Sequence, residues 1–213
     1  MGKICYSPEE AIQYYLKTYH YEEAFTICKL IKESDLNDHA KASILVLGRH
    51  QYRIPNAKKD ILIETLETSK PWKEKFPDFE DIYSNIKQLL RHFNGRVTLY
   101  DISYRLGISL DLLPEKYVYI TSGKVIENAM IILGISKDPG IKRLKIDFPH
   151  WIQTLSASQI EDFLCHVEIE ITPTGMIFKF KERNIKPFTN YPIDVNKEII
   201  RVLGKDKANQ LGF

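Results

Sequence analysis

A chain of 213 residues, 44% hydrophobic and 27% charged, has the length and apolar content to bury a real core in one domain or two small ones. Mean hydropathy of −0.27, with no apolar run near the roughly 18–20 residues needed to cross a bilayer, excludes a spanning helix. A net charge of +2 and a pI near 8.3 fall short of the strongly basic balance typical of a nucleic-acid-binding domain.

The first half reads as helices. Ser7-Pro8-Glu9-Glu10 is a start signal, with Ser7 as N-cap, Pro8 in the first turn and Glu10 closing a capping box. That helix is expected to run to about Tyr19. A second carries Tyr21, Ala24, Phe25, Cys28 and Ile31 on one face. The stretch from Asp38 gives a third helix ended by Gly48, and Asn56–Ser69 gives a fourth, closed before Pro71. Trp72–Asp78 reads as a short linker. Asp78 then caps a fifth helix whose stripe is Phe79, Ile82, Tyr83, Ile86, Leu89 and Phe93, stopped at Asn94-Gly95. The Tyr21-x-x-Ala24 pair resembles the core of a tetratricopeptide helix, but the sequence does not repeat it at the spacing an array needs.

Thr98–Ser109, "TLYDISYRLGIS", resembles helix-turn-helix sequences. Ser103 supplies the small residue at the helix contact and Gly107 the permissive turn position, with Ile108 and Leu113 as the apolar contacts that follow. The resemblance implies a recognition helix starting near Ser109. Its exposed positions would include Asp111, Pro114 and Glu115, which repel phosphates and break the helix, so base reading by this element is not expected.

Downstream, Lys116–Thr121 reads as a strand, Gly123–Gly134 as a helix, Ser136–Gly140 as a turn and Arg143–Phe148 as an alternating strand. Ser158 and Glu161 suggest a capping box for the next helix. A hairpin over 167–182 follows from parity. An even loop pairs Ile169 with Phe178 and Val167 with Phe180 on one face, and sets Glu168 against Lys179 on the other. Pro173 forbids a two-residue type I′ loop, so a four-residue turn, Thr172–Gly175, is expected. A short helix follows Asp194, and no order is assigned beyond Gly204. The fold class is therefore α+β: a mostly helical N-terminal half, then helices with a small antiparallel sheet containing the 167–182 hairpin. The division expected is a helical region over 1–71 and an α+β region over 78–213, or the two as one continuous domain.

Cys5, Cys28 and Cys165 are odd in number and far apart, which argues against a disulfide framework and for a reducing, cytoplasmic setting; the first ten residues also lack the apolar core of a leader. Neither a metal nor another cofactor is expected, and no catalytic residue stands out. The leading expectation is a soluble, non-catalytic interaction or regulatory protein that meets another protein through Tyr14, Tyr15, Tyr19 and Tyr21. The alternative is nucleic-acid association through Arg96, Lys124, Lys179 and Lys181, with an anion at Ser122-Gly123-Lys124, where a helix begins. A further alternative is a nuclease-like site drawn from Asp147, Glu168, Glu170 and Lys179. No membrane partner is expected.

Overall fold

Capping signals and apolar periodicity account for most of the elements in the computed structural model, which describes residues 2–18, 22–47, 54–120, 123–135, 142–180, 191–211 and 213, without the side chains of 22–24, 123–125 and 127. In chain order they are β1 (Ile4–Cys5), α1 (Pro8–Thr18), α2 (Glu22–Glu33), α3 (Asp38–Val46), α4 (Asn56–Ser69), α5 (Phe79–Leu89), α6 (Arg96–Leu110), β2 (Tyr117–Tyr119) and α7 (Gly123–Ile132). There follow β3 (Lys142–Leu144), α8 (Ala157–His166), β4 (Val167–Thr172), β5 (Gly175–Phe180), α9 (Ile193–Leu203) and α10 (Lys205–Gln210). This is the α+β class that the sequence pattern implies. The expectations at Gly48 and at the 136–140 turn lie outside the described residues. Among the described residues, no helix is long and apolar enough to cross a membrane.

Contacts group the chain into two units, each discontinuous in sequence: one of Met1–His20 with Pro114–Asn184, the other of Tyr21–Leu113 with Ile185–Phe213. The first holds an antiparallel sheet in the order β1-β5-β4 and a separate β2-β3 ladder. The hairpin has the register that parity requires: Ile169 pairs with Phe178, Val167 with Phe180 and Glu168 with Lys179. The ladder extends to Thr172–Gly175, so only Pro173 and Thr174 connect the strands and the expected four-residue turn is shortened to two, while Gly175 takes a φ of 135° that a side chain disfavours. Alternation buries Cys5, Val167, Ile169, Phe178 and Phe180. Their face joins a core in which the Phe163 ring meets Tyr15 at 5.5 Å, Phe180 at 5.9 Å and Trp151 at 6.2 Å between centroids. Each such edge-to-face pair adds about 0.5–1.5 kcal/mol beyond burial.

Two local expectations in this unit shift. The α8 capping box is Ser156 with Gln159, whose side chains bond each other's backbone N–H, while the expected cap Ser158 is buried inside the first turn. Both spacings fit the motif; burial of Ser158 decides between them. The strand expected over Arg143–Phe148 stops at Leu144, because Lys145–Asp147 winds into a single 3-10 turn.

The second unit is helical. α6 packs against α2, α3 and α5, and buries Leu99, Tyr100, Ile102, Leu106 and Ile108. The resemblance to a helix-turn-helix fails here. α6 runs unbroken through Gly107 and ends at Asp111 with a φ of 62°, after which the chain leads to β2 and not to a second helix. The glycine serves close approach instead of a bend. A Cβ on it would stand 2.5 Å from the Leu112 carbonyl oxygen and 3.1 Å from the Phe79 ring. Trp72, assigned to a linker, is 6% exposed within the 3-10 turn Pro71–Lys73, so the segment is packed in place. α5 stops at Leu89, short of the expected Phe93. The final helix extends beyond expectation, since α10 forms after Gly204.

Replacing Gly107 with alanine tests this packing, because two effects oppose each other. Helix propensity alone would stabilise by about 1 kcal/mol. The overlap with the Leu112 carbonyl and Phe79 costs about 1–3 kcal/mol. We expect Gly107→Ala to lower the urea midpoint; a raised midpoint would mean that α6 is not held so tightly.

Candidate functional site

The residues singled out by sequence fall in different surroundings. Tyr15 is 4% exposed, its ring is packed on Phe163, and its hydroxyl donates to Asp162 Oδ2 at 3.0 Å. Tyr14 is half-buried and lies 4.9 Å from the Phe180 ring. Both are thus engaged with the core of their own unit, while Tyr19 and Tyr21 lie outside the described residues. Arg96 is exposed at the start of α6 in the helical unit, whereas Lys179 stands on the sheet of the other. Gly123 opens α7 as expected; Ser122, Lys181 and the side chain of Lys124 lie outside the described residues.

The hairpin's outer face is balanced. Lys179 pairs with Glu170, stands opposite Glu168, and has its pKa raised chiefly by the bond to Glu170. Asp147, the third carboxylate considered for a nuclease-like centre, belongs to the 3-10 turn after β3 and is exposed. Among the described residues, no group of three or more His, Cys, Asp or Glu is arranged to hold a metal.

A different cluster emerges on the β2-β3 ladder. Tyr117 pairs with Leu144, Val118 with Arg143 and Tyr119 with Lys142, and the Lys145 N–H donates to the Lys116 carbonyl at 2.9 Å. Lys116 and Lys145 are therefore the next facing pair. Like charges directly opposite on a ladder cost about 0.2–1 kcal/mol. Lys142, diagonal to Tyr117, lays its ammonium 3.9 Å from that ring's centroid, and Lys116 lies 5.3 Å from it. Such contacts hold the cations in place without neutralising them. Lys116, Lys142 and Lys145 pair with no carboxylate among the described residues, whereas Lys3 and Lys179 of the same unit hold Glu10 and Glu170. Arg143 adds a fourth cation and donates to the Lys142 carbonyl.

The signal for this ribbon lies in the order of charges. Residues 116–145 contain Lys116, Lys124, Lys137, Lys142, Arg143 and Lys145 against Glu127 and Asp138 alone. Residues 146–178 then contain neither lysine nor arginine. A net count over the whole chain averages this segregation away.

In the helical unit, three cations hold carboxylates. Lys29 bonds Asp111, Lys70 Nζ lies 2.6 Å from Asp38, and Arg201 reaches Asp35 at 3.0 Å and Glu198 at 2.9 Å. Bonds from Lys29, Lys70 and Arg201 hold Asp111, Asp38 and Asp35 below the ordinary aspartate value. Burial pushes the Cys28 thiol up to about 12, and raises the Tyr191 hydroxyl, so both stay protonated. Arg105 anchors α6 by donating to the Leu45 carbonyl at 2.6 Å.

Comparison of the chain with protein families, with curated proteins and with solved structures found no match.

The three aspartates predict an acid-labile helical unit. Each has a lowered folded pKa, so its stabilising contribution is complete above the ordinary value of 3.8 and is lost as pH falls through the lowered value. Thermal melts below about pH 4 should therefore show a falling midpoint, and the triple variant Asp35→Asn, Asp38→Asn, Asp111→Asn should flatten that fall. An identical acid profile in the variant would show that these pairs contribute nothing.

Proposed function

We propose that this chain is a binding protein and that its working surface is the β2-β3 ribbon, which holds the phosphate backbone of a nucleic acid. The observation that carries this reading is the facing pair Lys116–Lys145, flanked by Lys142 and Arg143, with the three lysines unpaired among the described residues. A protein that places like charges opposite each other accepts a small loss of stability, and a bound anion reverses it. Phosphates meeting Lys and Arg release condensed counterions, which supplies affinity without base contacts.

A protein partner is the second reading. Tyr6 is 71% exposed and Ile4 42% exposed, two residues apart at the start of the unit that bears the sheet. Exposed aromatic and aliphatic groups so placed favour protein contact. Binding of this kind would persist at high salt.

The test is fluorescence anisotropy with a labelled oligonucleotide, titrated at several salt concentrations. Lys142→Glu with Lys145→Glu should weaken binding at least about tenfold at low salt. Lys58→Glu with Lys59→Glu, two reversals on α4, should change it little. Equal losses in both variants would reduce the effect to net charge, and a loss on Arg96→Glu alone would move the interface to α6.

A further inference from the structure

We infer that the ribbon reads the phosphodiester chain alone, without regard to base or to strandedness. This rests on the phosphate-binding reading above and narrows it to one ligand chemistry: a linear run of phosphates. β2 has three residues, and two of them, Val118 and Tyr119, are 0% and 1% exposed. β2 packs on α8, and Val118 joins the core that contains Ile160, Phe163 and Leu164. A ribbon held down in this way cannot enter a major groove, which admits a two-stranded ladder only when it stands free of its own domain.

Stacking is blocked as well. Single-strand binders place an open aromatic face under each base. The half-exposed aromatic ring of this ladder, Tyr117, already carries the Lys142 ammonium over it at 3.9 Å, and Tyr119 is buried. What the ladder offers outward is charge. Lys142 and Lys116 both bring their ammonium groups to the Tyr117 ring, at 3.9 and 5.3 Å from its centroid, and so lie within about 9 Å of each other, while Lys145 opens the turn after β3 across from Lys116. That span accommodates neighbouring phosphates of an extended strand, or of one side of a duplex. Arg143, the side chain whose fork best matches a guanine edge, already donates from Nη1 to the Lys142 carbonyl, which leaves the lysine ammonium groups as point charges.

The experiment compares four probes on the full chain: an oligo-dT, an oligo-dA of the same length, a mixed-sequence duplex and inorganic polyphosphate. Affinities per phosphate should agree within about threefold, and polyphosphate should displace each nucleic acid. Log affinity should fall with log salt at a slope of about −2 for the single strands, as expected for three neutralised phosphates, and Lys142→Glu with Lys145→Glu should cut that slope to about a third. A preference of tenfold or more for one base or one strandedness, abolished by the same double variant, would overturn this inference and leave the phosphate-binding reading standing. Failure of every probe to bind at low salt would overturn both. Binding of polyphosphate but of neither nucleic acid would keep the phosphate chemistry and exclude nucleic acid as its source.

Discussion

Burial of Val118 and Tyr119 is the constraint on which the charged ribbon depends. Both faces of a three-residue strand are spent on the interior, so β2 is pinned, and β3 pairs with the edge that is left. Lys116 and Lys142 are exposed and Lys145 is half-buried. Charge that a flexible loop would spread is held at the two ends of one short ladder, and the Tyr117 ring steadies two of the ammonium groups. A local cost in repulsion is tolerated because the core below is rich in aromatic contacts.

Some ionic groups tie elements together, while those of the ladder crowd beside one another. In the helical unit, Lys29, Lys70 and Arg201 bond aspartates from other helices or loops, and these exposed pairs tie elements at the surface. Such pairs contribute little individually. The buried face of α6, with Tyr100 stacked on Tyr104 at 5.8 Å, provides the larger share of cohesion there. In the unit with the sheet, the hairpin face is neutralised by Glu170 and Lys179, while the ladder is not. What sets the ribbon apart is the placing of like charges opposite each other and against one aromatic ring.

The fold was legible wherever a pattern is local. The caps at Ser7 and Asp78 bond the backbone, and the hairpin register follows from strict alternation of Val167, Ile169, Phe178 and Phe180. Parity leaves that hairpin no other solution. What sequence does not announce is the pairing of Ile4–Cys5 with Phe178–Lys179, because nothing local links residues so distant along the chain. Gly107 misleads for a related reason. A glycine that admits a carbonyl oxygen and one that permits a turn look the same until the neighbouring Phe79 is placed. The ribbon was half legible: its lysines are plain in the sequence, but only the Tyr117–Leu144 register sets Lys116 against Lys145. Tyr14 and Tyr15 were read as interface candidates by composition, whereas their rings pack on Phe180 and Phe163.

The central claim is that anions meet this protein at β2 and β3. Amide chemical shifts recorded while oligo-dT is titrated into the labelled chain test it most directly. The account predicts that the largest changes fall on residues 116–119 and 142–146, with the helix from Arg96 and the hairpin face around Lys179 little affected. Changes centred on either of those two places, with the ribbon amides still, would contradict it.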